Sequence, residues 1–462
     1  MSFGTRIIGV SALLIAISAG LNGCVSYEAR PVDLAASAET IETRTVPAPP
    51  TGTLSYLAAL DLALQRAPAV LQARAAYDSA VAAARTARVR PAMTLTLTAE
   101  YSRQADPNKP WLYGGALDVP LDRGRGARID SADLAILKAR YDLIEAVWTT
   151  RTALRRALFE QAVAEEELAV ADRQIAIREQ RLTVFERRVA LGEDARPVAL
   201  TAATELSMSR QRRTSAAAAL VQARAAIAAQ LGVTVEALGG LRIETPTAGP
   251  SSADAVPGLR RDAAIGRADV LKAVVDYDIA EQALRTAVAG QYPQVTLSPG
   301  YTWERGITKL PFNLGLALPP ADLNRAAINE AEVKRAEAGA ALEAAQAKVF
   351  AEVDAAASAL AGADRQAARI ESEDRPLASR AKALMDRAVA LGENDRTDAL
   401  AAEASALDVD LSAVDVRRQQ ATALADLEAA TRVLADPTER DRLAAAIPSP
   451  DLGPAFGPET AR

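Results

Sequence analysis

The 462-residue chain is half apolar but only 4% aromatic, carries a net charge of −6 with both signs interspersed, and contains no histidine. Alanine-rich composition of this kind packs helices closely and builds little bulky core. Scattered charge leaves no basic footprint for nucleic acid; the absent imidazoles remove the commonest general base and transition-metal ligand, so the expectation is no enzyme, no metal and no cofactor.

Residues 1–23 read as a leader. Arg6 supplies the positive charge, and the apolar stretch from Ile7 to Ala19 is too short to span a bilayer comfortably. It ends at Leu21-Asn22-Gly23-Cys24, and Cys24 is the only cysteine in the sequence. This run resembles the lipobox of bacterial lipoproteins, which implies acylation of Cys24 and anchoring without a transmembrane helix. Val25 follows, not the Asp that retains many such proteins at the inner membrane. A linker with Ala48-Pro49-Pro50 completes residues 24–53.

The first repeat is assigned to residues 54–237. Helical composition from Leu54 to Val89, punctuated at Pro68, gives way to period-two alternation in a hairpin over 93–122. Met93, Leu95, Leu97, Ala99 and Tyr101 face one side, and Thr94, Thr96, Thr98 and Glu100 the other. A loop with Asp106-Pro107-Asn108-Lys109-Pro110 precedes a second alternating strand from Tyr113 to Leu121. From Ala127 to Ala190 there is no Pro or Gly, which predicts a rod of roughly 95 Å at the helical rise. Ile129, Ile136 and Leu143 alternate with Ala132, Ala139 and Ala146 in a heptad register that suits close coiled-coil packing. Gly192 reads as a left-handed helix end, after which a second helix returns from about Pro197 to Leu231.

A Gly-, Pro- and Ser-containing connection over 238–258 leads to a second repeat over 259–435. Its hairpin, 294–319, sets Val295, Leu297, Tyr301 and Trp303 against Thr296, Ser298 and Thr302, with Phe312, Leu314, Leu316 and Leu318 on the return. Aromatic residues sit near strand ends, as in the girdles of membrane barrels. A rod from about Leu323 to Ala390 and a return helix from Thr397 to Leu434 complete the repeat. Residues 436–462, with no apolar seam, are expected to form a flexible tail.

The two halves are copies at one offset of 200 residues. Val189-Ala190-Leu191-Gly192-Glu193 recurs as Val389-Ala390-Leu391-Gly392-Glu393, and Tyr77-Asp78 and Arg85-Thr86-Ala87 recur as Tyr277-Asp278 and Arg285-Thr286-Ala287. Several blocks at one offset mark duplication of a long unit. The expected fold is therefore mainly α, with coiled-coil helical hairpins and four strands per protomer. Four strands cannot close around water, and open edges are not tolerated in lipid, so other chains must complete the barrel. Three copies give twelve strands, although periodicity alone does not fix three.

These features resemble the TolC-like outer membrane factor family. The resemblance rests on the duplicated halves, Tyr292-Pro293-Gln294-Val295-Thr296-Leu297, Leu323-Asn324-Arg325, and Gly392 followed by Asp398-Ala399-Leu400. It implies a homotrimer with a twelve-stranded transmembrane β-barrel and a periplasmic α-helical tunnel. The chain would be the lipid-anchored outer membrane duct of a Gram-negative tripartite efflux system for small molecules. Its partners would be outer membrane lipid, a periplasmic adaptor protein and an inner-membrane pump of RND or ABC type. Gly192, Glu193, Gly392 and Glu393 would form the adaptor-docking tips. Asp398 would ring the periplasmic constriction in three copies, favouring cations over anions. Val198 stands at the matching place in the first half, and Arg196 and Arg396 offer an alternative latch. Two other readings stay open: the exit duct of type I protein secretion, and a lipid-anchored periplasmic coiled-coil scaffold without a pore.

Overall fold

The computed structural model describes residues 27–47, 52–103, 110–121, 124–246, 256–434 and 436–449. The leader with Cys24, the stretch around Pro49, most of the first hairpin loop, the middle of the inter-repeat connection and the last residues lie outside the described residues. The chain divides into units Met1–Arg44 and Thr45–Arg462. In the first, α1 (Leu34–Glu42) begins at Asp33, whose carboxylate accepts from the Ala35 and Ala36 amides at 2.9 and 3.1 Å.

In the second unit, β1 (Thr53–Leu54) leads into α2 (Tyr56–Arg66) and α3 (Pro68–Ala87). The Ser55 hydroxyl caps α2, and Pro68 opens α3 at a position where a missing N–H costs nothing. The hairpin β2 (Thr94–Tyr101) and β3 (Trp111–Pro120) precedes α4 (Arg125–Ala190), whose 66 residues extend about 100 Å. The helix α5 (Arg196–Leu231) returns alongside it. The connection then forms α6 (Val235–Leu238) and β4 (Arg242–Ile243), and β4 pairs in parallel with β1.

The second repeat begins with α7 (Val256–Gly266) and α8 (Ala268–Ala289). Its strands are β5 (Gln294–Glu304), β6 (Ile307–Lys309) and β7 (Phe312–Ala317). The helices α9 (Ala321–Arg369), α10 (Arg375–Ala390), α11 (Arg396–Thr431) and α12 (Pro437–Ala445) complete it.

Two expectations are corrected. The second rod is not one helix: α9 and α10 are separated by a π-helical segment, Ile370–Asp374, in which the Arg375 amide bonds to the Ile370 carbonyl. Pro376 is the physical reason, because its ring crowds the carbonyl four residues back and it brings no donor for it; widening the turn relieves both. The return strand expected from Phe312 is β7, and a short further strand, β6, precedes it across Leu310-Pro311. The tail is not loose at its start, since α12 is a helix with Glu439 and Leu443 buried.

Four long helices are laid side by side by small apolar residues. Val163 and Val170 of α4 meet Leu407, Leu411 and Val414 of α11. Val349 and Val353 of α9 pack with Leu424 and Leu427 of α11 and Val270 of α8. The heptad seam expected on α4 is used by α3: Ile136, with Ala132 and Ala139, covers Tyr77, Val81 and Ala84. The largest cluster joins α2, α4 and α5 through Leu60, Ala63, Leu143, Leu154, Ile227 and Leu231, and Leu443 of α12 belongs to it.

Gly232 ends α5 at φ +63°, and a Cβ there would lie 2.6 Å from the Arg66 carbonyl oxygen. Gly232→Ala should therefore lower stability by about 1–3 kcal/mol, through left-handed strain plus a backbone clash. Urea denaturation followed by far-UV circular dichroism measures this, and an unchanged midpoint would refute the close approach.

Candidate functional site: the hairpin turns and the strand face

Both helical hairpins turn by the same chemistry. After α4, the Gly192 amide bonds to the Val189 carbonyl at 3.1 Å and the Glu193 amide to the Arg188 carbonyl at 2.9 Å. After α10, Gly392 and Glu393 repeat these bonds to Val389 and Ala388 at 3.0 and 2.9 Å. Both glycines have φ +79°, a left-handed value that closes the double bond pattern at little steric cost. Leu191, Gly192, Glu193 and their counterparts Leu391, Gly392, Glu393 are all exposed.

The tips differ where the return helix begins. At the second, Asp395 and Asp398 form a reciprocal capping box: each carboxylate accepts from the other's backbone amide. The Asp398 carboxylate also accepts from Asn394 Nδ2 at 3.3 Å. At the first tip Ala195 provides no side-chain cap, and Val198 stands where Asp398 does. Asp398 is thus exposed and anchored to its own turn, while Arg196 and Arg396 are exposed at the starts of their helices.

One side chain joins the two tips within the chain. Arg188 Nη1 donates to Asp395 Oδ2 at 2.7 Å, and Arg188 Nε lies 2.9 Å from Asp194 Oδ2. The bond to Asp395, with the charges of Asp194 and Glu193 behind it, raises the guanidinium pKa further above its ordinary value. The second copy has Ala388 at this position, so the link runs in one direction only. Sequence reading missed Arg188; its only signal was that mismatch at the 200-residue offset.

At the other end, the register sorts the strands into two chemical faces. Leu95 pairs with Leu117, Tyr101 with Trp111, Tyr113 with Trp303, and Leu297 with both Val119 and Leu314. Directly opposed residues share a face, so the apolar side chains form one continuous surface. Tyr101, Trp111, Tyr113 and Trp303 make a ladder with ring centroids 5.0, 5.7 and 6.0 Å apart in turn. The opposite face is small and polar: Thr94 opposes Asp118, Thr98 opposes Gly114, Gly114 opposes Thr302, and Ser298 donates to Asp118. β2 and the return strand each have a partner on one side only among the described residues. Among the described residues no helix is long and apolar enough to cross a membrane.

The sequence pattern of the family described as outer membrane efflux protein matches residues 59–233 and 259–431, that is, both repeats. No curated protein matches the chain. Solved structures with the same fold include a membrane protein from Pseudomonas aeruginosa, 21% identical, covering 81% of this chain and 89% of its own, with a TM-score of 0.67. The outer membrane protein VceC from Vibrio cholerae is 19% identical, covering 82% and 96%, with a TM-score of 0.66. The MtrE outer membrane channel of Neisseria gonorrhoeae, in its open state, is 21% identical, covering 81% and 88%, with a TM-score of 0.63.

The capping box makes a local prediction. Asp395→Ala removes the cap and the Arg188 partner together, costing about 1 kcal/mol at the start of α11. Hydrogen exchange should quicken over residues 396–400 and stay unchanged over residues 200–231; equal exchange in both proteins would remove the box as a stabilising element.

Proposed function

The chain belongs to the outer membrane efflux protein family, and we propose that it is the passive exit duct of a tripartite efflux system for small molecules. The observation that carries this reading is the two-faced strand layer. Its apolar face is exposed along β2 and β7 and at Trp111, Tyr113 and Tyr301, and half-exposed along the rest of β3 and β5, a pattern that water does not favour and hydrocarbon does. Unpaired edges on both sides call for neighbours, because lipid offers no hydrogen bonds. Counting β6 and β7 as one return strand gives four in this layer among the described residues; a homotrimer supplies twelve, enough for a lumen lined by the Thr, Ser and Gly face.

The rods support the same assembly. Leu377 and Leu384 of α10 and Leu391 just past its end recur every seven residues and are exposed, as are Leu200, Met208 and Val221 on α5. A seam of this spacing at the α10 end and exposed apolar side chains on α5 suit packing of α10 against α5 of the next copy. In this reading Cys24 is acylated, the strands sit in outer membrane lipid, and the rods extend into the periplasm. The tips at Gly192, Glu193, Gly392 and Glu393 receive a periplasmic adaptor connected to an inner-membrane pump, which supplies the energy. Asp398 lines the constriction in three copies, Arg188 holds the two tips of each chain together, and Arg196 and Arg396 lie beside that ring.

Single-channel recording of the purified chain in planar bilayers tests this. A cation-preferring pore is expected. Asp398→Ala should weaken that preference about twofold or more, and Arg188→Ala should raise the open fraction by freeing the tips. A pore indifferent to Asp398→Ala takes Asp398 out of the ion path. Folded oligomers that never conduct, with or without Arg188→Ala, would sink the duct in favour of the periplasmic scaffold.

A further inference from the structure

The nine residues of α12 return from the end of the second repeat to the core of the first. Only Glu439 and Leu443 of this helix are buried. Arg151, 1% exposed, grips Glu439 with two arms: Nε to Oε1 at 2.8 Å and Nη2 to Oε2 at 3.1 Å. Its third arm, Nη1, donates to Glu428 Oε2 at 2.8 Å, and Arg155 Nη2 donates to Glu428 Oε1 at 3.1 Å. The Tyr56 hydroxyl also donates to Glu439 Oε1. Burial, opposed by Arg151 and reinforced by Glu439, raises the Tyr56 pKa well above its ordinary value, so the phenol keeps its proton and its donor role. At the rim, Arg442 pairs with Asp61 and Arg74 Nη2 donates to the Ala446 carbonyl at 3.1 Å.

These contacts join four segments through the Arg151 guanidinium and the Glu439 carboxylate: the first helix of the first repeat, its rod, the last turns of α11, and α12. A nine-residue helix has little stability of its own, and its apolar attachment is Leu443 with the partly buried Ala446 at its end. Its hold therefore rests on the carboxylate. With the helix in place, deleting that carboxylate strands Arg151 in a dry site with only Glu428 as counter-ion. With the helix lifted away, water reaches Arg151 and Tyr56, and the penalty disappears. Such an attachment opens as a unit at a free energy below that of the whole fold.

We propose that α12 is a detachable strap: it opens before the rods unfold, and its closure through Arg151 sets how firmly the end of α11 is held against α4. The reporter is built in. Trp148 lies beneath the guanidinium groups of Arg151 and Arg432, 5.8 and 5.1 Å from its ring centroid. The chain has three tryptophans, so Trp111→Phe with Trp303→Phe leaves Trp148 as the single emitter.

The test is native-state hydrogen exchange on the full chain, with Trp148 emission followed through a urea titration of the single-tryptophan variant. Amides of residues 441–446 should exchange at least about tenfold faster than those of residues 405–427, and emission should shift before the helical dichroism falls. Glu439→Gln should speed exchange over 441–446 by a further factor of about ten or more while leaving 405–424 unchanged. Replacing the pair with apolar side chains, Arg151→Met with Glu439→Met, should bring it back toward the original rate. Strap amides as slow as those of the rods, or Glu439→Gln speeding the rods equally, would make α12 an integral part of the core. Exchange indifferent to Glu439→Gln would show that the ion pair is not the hold.

Discussion

The contact between α4 and α11 is the constraint on which everything else depends, because it makes the two repeats one body. A rod of 66 residues buries only part of its apolar surface within its own hairpin, where Leu154 meets Ile227 and Leu231. The partner for the remaining seam comes from the other repeat: Val163 and Val170 against Leu407, Leu411 and Val414. Small side chains bring the backbones close, and charged residues on either side of the seam then fall within reach of each other. Arg418 donates to Glu167 at 2.7 Å, Arg212 donates to Glu167 at 3.0 Å and to Asp415 at 2.7 Å, and the Ser209 hydroxyl donates to Gln174 at 2.8 Å. Three helices, α4, α5 and α11, are thereby keyed in register, and the key carries the alignment of both tips.

That register reaches the two ends in different forms. At the tips it sets Arg188 against Asp395 across some two hundred residues of sequence. At the strands it brings β3 beside β5, so that hairpins from separate repeats make one sheet with one apolar face. Neither end has much core of its own: the residues of β2 are exposed throughout, and α10 buries none. Precision at both ends originates in the middle, where Leu60, Leu154 and Ile227 are fully enclosed.

How much of this is legible in the sequence depends on how local each cause is. Period-two alternation around Leu95 and Leu297 marks the strands and their two faces, because side chains alternate whatever the neighbours are. Gly192 and Gly392 mark the turns, since a left-handed position has a residue preference of its own. The α4 rod is visible as a run without breakers. The matching run to Ala390 misleads: Pro376 lies inside it, and the π segment is the result. The start of α12 carries a local mark in Asp436-Pro437, but its attachment is hidden, because one leucine and a buried carboxylate meeting an arginine 288 positions away leave no periodic trace. Of the tip residues, those with backbone roles announce themselves, whereas Arg188 acts only through a side chain from a distant copy.

The end of α11 shows what duplication has become in this chain. Arg432 occupies the place of Gly232 and holds the same left-handed backbone, φ +58° against +63°. A side chain is tolerated there because it is occupied: it bonds both oxygens of Glu145, at 2.6 and 2.7 Å, and lies over Trp148. Arg151 likewise has Ala351 as its counterpart, and Arg188 has Ala388. The halves have kept their outline and exchanged their chemistry, so that each now carries what the other lacks. Two copies of either half joined end to end would reproduce the paired rods and their turns and still lack the groups that fasten one half to the other.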